Sequence, residues 1–202
     1  MLTATYTLVA LSVEQTPVRM GLQSLRQMLH AYYLHQNALG AAQVDYAASD
    51  MRRLYNSCHW RKLDKFLLPA VRRATRLADD LLAELDALSA QAADALAVST
   101  AFDGAIEGEQ VKAFCNVIET FCRVLLTRIE REEKELFPLA RVAVPGEAWF
   151  ALANNMLAHD AYLQERRGEH APAPAPAPDL RPVWPARHEQ PARTGVPAST
   201  LH

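Results

Sequence analysis

The sequence has no glycine-rich phosphate loop, no nucleophile elbow and no Cys-x-x-Cys motif. These short motifs are typical of nucleotide-binding proteins, serine hydrolases and thiol redox enzymes. Cys58 and His59 are neighbours, but adjacent side chains on a helix diverge, so the two cannot form a nucleophile and base pair. We therefore predict that the chain is not an enzyme.

The sequence also lacks an excess of charge of one sign and a long apolar run. Its 21 basic and 23 acidic residues are not segregated into blocks along the part that we expect to fold, so nothing electrostatic indicates a nucleic-acid or bilayer partner. No apolar run reaches the roughly 18 residues of a membrane span. The stretch MLTATYTLVALSVEQ has no Lys or Arg before its apolar run, and we expect no secretory signal there.

Cysteine is scarce and odd in number: Cys58, Cys115 and Cys122 each lie inside a helical pattern. This usage is typical of reduced, structural cysteines in a cytosolic protein. We predict a cytoplasmic location.

What the sequence does contain is a series of helical patterns, enough for an all-α domain. We predict a poorly ordered leader over residues 1–16, a helical bundle domain over 17–167 and a disordered Pro/Ala-rich tail over 168–202. Thr16 and Pro17 form an expected N-cap and first turn. The predicted helices cover residues 17–38, 45–68, 70–97 and 107–137, with a shorter fifth over 146–166. The tail holds eight of the twelve prolines and could contact an unknown protein partner.

Two of these helices end in similar stretches, HWRKLDKFLLP at residues 59–69 and RIEREEKELFP at residues 128–138. In register they share Lys65 with Lys134, Leu67 with Leu136 and Pro69 with Pro138. Both stop at proline after a long helical pattern, which indicates a duplicated helical hairpin.

An acidic residue stands on the apolar face of the fourth predicted helix. The stripe Val111, Phe114, Ile118, Phe121, Leu125, Ile129 and Leu136 includes Glu132, and Glu133 lies beside it. A carboxylate that faces a core costs several kcal/mol unless it is paired or bound to a metal. Glu132 could reach water at the mouth of the bundle, or it could pair with Arg128 one turn before it.

These features resemble the hemerythrin-like, HHE cation-binding family over roughly residues 17–141. The resemblance implies an up-down antiparallel four-helix bundle. In that family, helices two and four each carry a His and a Glu at positions i and i+4 before a Leu-Phe-Pro turn, and helices one and three add further histidines. The implied function is a non-haem, usually di-iron, site that binds oxygen or senses oxygen, nitric oxide, redox state or iron.

Carried over to this sequence, the family pattern is partly filled. On helix two, His59 stands at the histidine position, while Leu63 stands at the glutamate position with Asp64 next to it. On helix four, Glu132 stands at the glutamate position and Arg128 at the histidine position. No histidine occurs near residues 20–22 or 75–76, where the other two helices would supply theirs.

Two interpretations follow from this pattern. In the first, most of the di-iron site is lost, Arg128 pairs with Glu132 or Asp64 in place of the metal, no cofactor is bound, and the bundle is a binding, sensory or scaffold module. In the second, the chain is a functional cation-binding protein with a single iron or manganese site, completed by His35 or water. The ligands of that alternative site are His59, Asp64, Glu132 and Glu133. A helical bundle unrelated to this family remains a further alternative.

Overall fold

The computed structural model describes residues 2–59 and 61–169, with only the backbone for residues 59 and 166–169. Its described residues form seven α-helices, one pair of short strands and three π turns, Leu29–Tyr33, Leu63–Leu67 and Glu132–Leu136. The helices are α1 Leu2–Met28, α2 Ala41–His59, α3 Leu68–Ala74, α4 Asp79–Ser99, α5 Glu109–Arg131, α6 Phe137–Ala143 and α7 Gly146–Glu169. The strands β1 Ala38–Leu39 and β2 Ile106–Glu107 pair antiparallel. The all-α prediction is confirmed. Among the described residues, no helix is both long and apolar enough to cross a membrane.

The first helix begins at Leu2, so the prediction of a poorly ordered leader is wrong for residues 2–16. One face of α1 is buried from end to end, at Ala4, Thr7, Leu11, Gln15, Val18, Leu22 and Leu25. The spacing of three and four residues keeps this face against the core on both sides of Pro17, which lies inside the helix. Proline removes one backbone hydrogen bond, but the buried face continues through it.

Three other predicted helices are divided in the structure. The predicted helix 45–68 is α2, which ends at His59, followed by a π turn over Leu63–Leu67 and the first residue of α3. The predicted helix 70–97 is interrupted after α3, where Thr75 has an extended backbone, and resumes with α4. The predicted helix 107–137 is α5 followed by a π turn and α6. At the other end, α7 includes Gly168 and Glu169, so the predicted start of the tail at residue 168 is wrong by two residues. Residues 170–202 lie outside the described residues, and the disorder of the tail stays a prediction.

The repeated stretches have the same local structure. A π turn over Leu63–Leu67 precedes α3, and a π turn over Glu132–Leu136 precedes α6. These bounds coincide when the two stretches are aligned as above. Pro69 and Pro138 have no N–H to donate and would clash with the carbonyl four residues earlier. The wider π turn just before each proline, closed by a bond to the carbonyl five residues back, accommodates this.

The apolar interior is divided into two cores along the helices. The first core holds the buried apolar residues of α1 from Val18 onward, of α2, of the second half of α4 and of α5 to Ile129. The second core holds those of α1 to Leu11, of the first half of α4 and of α3, α6, α7 and the two proline-ended π turns. Between the cores lie the buried polar residues Gln15, Arg61 and Glu132. A polar layer therefore crosses the molecule where the two cores meet.

The burial of the first helix gives a direct test of its fold. Replacing Leu11 by Ala removes a side chain that is 1% exposed in the second core, and we expect it to cost about 2–5 kcal/mol of the free energy of unfolding. Urea titration followed by circular dichroism measures this loss. The control Gln23→Ala, at an exposed position of the same helix, should change stability by less than about 0.5 kcal/mol. A Leu11→Ala variant as stable as this control would contradict a folded N-terminal segment.

Candidate functional site

The centre of the polar layer is Glu132, which is 0% exposed and lies in the π turn after α5. The Arg61 guanidinium binds both of its carboxylate oxygens, with Nη2 at 2.7 Å from Oε1 and Nη1 at 2.9 Å from Oε2. Gln15 Nε2 donates a third hydrogen bond to Oε2 at 2.6 Å. Arg61 is itself only 2% exposed. Both oxygens of a fully buried carboxylate are thus occupied by donors from two other segments of the chain.

A second buried guanidinium, that of Arg128 at the end of α5, completes the group. Its Nε lies 3.0 Å from Glu132 Oε1, one turn along the helix, although the N–H is not aligned for a hydrogen bond. Its Nη2 contacts Asp64 Oδ1. The other Asp64 oxygen is 3.5 Å from Arg61 Nη2. We call these five residues, Gln15, Arg61, Asp64, Arg128 and Glu132, the polar cluster.

Arg61 is held in place by the end of α2. Its backbone N–H and its side-chain Nε both donate to the Cys58 carbonyl, at 3.5 Å and 3.0 Å. The last carbonyls of a helix have no partner within it, so Arg61 satisfies one of them while its other nitrogens reach Glu132. The same side chain therefore ends α2 and connects it to the end of α5.

The charges of the polar cluster balance, with two guanidinium groups and two carboxylates. Burial alone would lower the pKa of Arg61, but the attraction of Glu132 and its hydrogen bonds outweigh burial and raise that pKa above its ordinary value. The guanidinium therefore stays protonated throughout the physiological pH range. An interior with little water strengthens this attraction. In the same interior, a charged group of the cluster that lost its partner would be strongly destabilising.

Cys58 borders the polar cluster but is not activated by it. Burial raises the pKa of its thiol to about 11, although the charges of Arg61 and Arg128 act in the opposite direction. Burial likewise raises the pKa of Cys122 to about 12. Because the thiolate is the nucleophilic form, neither thiol is prepared for chemistry at neutral pH.

The structure brings together some of the residues selected from the sequence and separates others. Asp64, Arg128 and Glu132 lie in the polar cluster, and Arg128 contacts both carboxylates. Glu133 is outside it and pairs with Arg19 at 2.6 Å, partly exposed. His35 lies beyond the C-terminal end of α1, and Gln15 is already about 20 Å from that end at ~1.5 Å of rise per residue. The side chain of His59 is not among those that the structure describes.

Sequence reasoning missed Gln15 and Arg61. Gln15 stands in the buried stripe of α1 between Leu11 and Val18, and reading residues 2–16 as a helix would have revealed a polar residue at a core position. Arg61 gave no such signal, because it lies between α2 and the following π turn, where a helical period does not apply.

The polar cluster does not fit a divalent cation. Three N–H donors occupy the two oxygens of Glu132, and a metal ion would need those same lone pairs. Two permanently charged guanidinium groups also stand where the ion would be. Within the part of the chain that the structure describes, no three His, Cys, Asp or Glu residues are grouped as metal ligands.

Comparison of the chain with protein-family models, with curated proteins and with solved structures gave no match. The resemblance to hemerythrin-like proteins therefore stays a prediction from the sequence.

The neighbours Glu132 and Glu133 offer a matched pair of substitutions. Glu132→Gln leaves two buried guanidinium groups without their central carboxylate and points an NH₂ group at their donors, so we expect it to cost about 3–5 kcal/mol of the free energy of unfolding. Glu133→Gln removes only a partly exposed pair with Arg19 and should cost at most about 1 kcal/mol. Chemical denaturation of both variants measures the difference, and equal losses would contradict the central place of Glu132.

The raised thiol pKa values predict slow alkylation of the folded protein. In iodoacetamide at pH 8, Cys58 and Cys122 should remain unlabelled in the native state and react quickly once urea unfolds the chain. Peptide mass spectrometry assigns the label to each residue. Rapid labelling of Cys58 in the native protein would instead identify an activated thiol beside the polar cluster.

Proposed function

We propose that this protein is a hemerythrin-like helical bundle in which ion pairs have replaced the metal site, and that it serves as a binding, sensory or scaffold module. The observation that carries the proposal is that Arg61, Arg128 and Gln15 all contact the buried carboxylate of Glu132. Glu132 and Arg128 hold the two positions where the family resemblance expects a glutamate and a histidine ligand.

The charge of the cluster supports the replacement. A carboxylate-lined metal site is neutralised by the cation it binds, and two guanidinium groups carry the same charge as one divalent ion. Arg61 and Arg128 supply that charge permanently, and Arg61 binds Glu132 in the bidentate geometry that suits a carboxylate. On this proposal the interior is complete without a cofactor, and the protein acts through its surfaces.

The arrangement of the helices supports the family bundle. α1 packs against α2 and α5, and α4 packs against the same two helices. The segment between α1 and α2 pairs through β1 with β2, which lies between α4 and α5. Since both connections meet at one end of the molecule, we infer that α1 and α4 run towards that end and that α2 and α5 run away from it, the up-down order of such a bundle.

The alternative, a working iron or manganese site, needs His59, Asp64, Glu132 and Glu133 to converge, with His35 or water. Glu133 and His35 lie away from the two carboxylates of the cluster, so their positions favour the metal-free module. Contact of a protein partner with the proline-rich tail remains part of our proposal, and it falls on residues outside those described.

Metal analysis tests the proposal. Freshly purified protein, and protein incubated anaerobically with ferrous iron and then desalted, should hold far less than one iron or manganese per chain and show no visible absorbance. Stoichiometric metal in either sample would refute the proposal.

A designed variant provides the positive counterpart. This variant combines Arg61→Leu, Leu63→Glu and Arg128→His, and so removes both guanidinium groups. It places the family's pair of His and Glu at the ends of predicted helices two and four, as His59 with residue 63 and residue 128 with Glu132. We expect this variant to take up iron by elemental analysis. The single variant Arg61→Leu, which lacks the restored ligands, is its control and should remain free of iron.

A further inference from the structure

A second apolar stripe follows the outer face of α1. Five large side chains are between 56% and 90% exposed there: Leu2, Tyr6, Val9, Val13 and Met20. They follow spacings of four, three, four and seven residues, which is the pattern of a helical seam that packs against another helix. The opposite face of α1 is the one buried in the two cores.

This outer face carries no charge. The exposed positions of α1 from residue 2 to residue 20 are Leu2, Thr5, Tyr6, Val9, Val13, Thr16, Pro17 and Met20. The exposed face of α4 is the opposite case, with Asp79, Asp80, Glu84, Asp86 and Asp94. A helix face turned to water normally carries charged side chains as α4 does, so the outer face of α1 has the composition of an interface.

The size of the stripe suits a pairing of two copies. Its five large side chains expose roughly 700 Å², close to the ~800 Å² that each partner contributes to a standard protein interface. We propose that two copies of this chain associate through the outer face of α1, with a two-fold axis relating the two helices. Such a contact uses the same patch on both chains, and the seam of one α1 then covers the seam of the other.

The composition of α1 favours a second copy over other occupants. Helices that lie on membrane surfaces carry Lys or Arg along their polar face, whereas the first basic residue of this sequence is Arg19. A partner recognised by charge would find none on the exposed positions between residues 2 and 20. A seam of Val, Leu, Tyr and Met with heptad-like spacing is complementary to itself.

Sedimentation equilibrium of the full chain tests the pairing, at concentrations from roughly 1 to 100 µM because interfaces of this size reach micromolar affinity or better. We expect a mass of twice 22.4 kDa at the upper end of this range. Val9→Lys with Val13→Lys should weaken the self-association at least tenfold, while circular dichroism stays that of the parent because both side chains are exposed. If that variant fails to fold, Val9→Gln with Val13→Gln replaces it.

Leu77→Lys with Val142→Lys is the matched control, since both side chains are highly exposed and lie outside α1. It should associate like the parent chain. A parent that is monomeric at 100 µM, with or without binding to zwitterionic vesicles, would overturn the proposal. So would a dimer that the Val9 and Val13 substitutions leave intact, or one that the control weakens equally.

Discussion

The salt bridge between Arg61 and Glu132 is the interaction on which the rest of the structure depends. Arg61 closes the end of α2 through the Cys58 carbonyl, Glu132 opens the π turn after α5, and Gln15 connects both to α1. All three side chains are almost completely buried, so water cannot replace any of them as a hydrogen-bond partner. Three helices therefore meet at one fixed level, and the two apolar cores pack on either side of it.

A buried ion pair of this kind determines which arrangement is stable more than how stable it is. The desolvation of two charges cancels much of their attraction, and apolar residues of equal volume often give the same stability. Apolar contacts are non-directional, so on their own they oppose a one-turn shift of α5 along α1 and α2 less sharply than a directional ion pair does. Such a shift would leave Glu132 without Arg61 and place a lone carboxylate in an apolar core, at a cost of several kcal/mol. We infer that the polar cluster fixes the register of the helices.

Much of this could be predicted from local sequence, and the remainder depends on structure that local patterns do not encode. The helical class, the repeated proline-ended stretches and the core-facing position of Glu132 follow from spacing alone, since each reflects one helix. The predicted leader is wrong because Thr16 and Pro17 are a strong local signal for a helix start, whereas the buried face that continues through them depends on the second core. Arg61 could not be found, because its partner is 71 residues away and a π turn separates it from the next helix.

The two π turns lie at the level of the polar cluster, and the resemblance to hemerythrin-like proteins predicts metal ligands at the same positions. Each adds a residue to a helical turn just before a proline, and so widens the backbone at the level where the two cores meet. That level needs polar side chains, because Glu132 is buried there in the π turn itself. A metal ion is one way to neutralise a carboxylate in such a position, and a pair of guanidinium groups is another. In this protein Arg61 and Arg128 pair with Glu132 and Asp64, so the buried carboxylates are neutralised in the second of these ways.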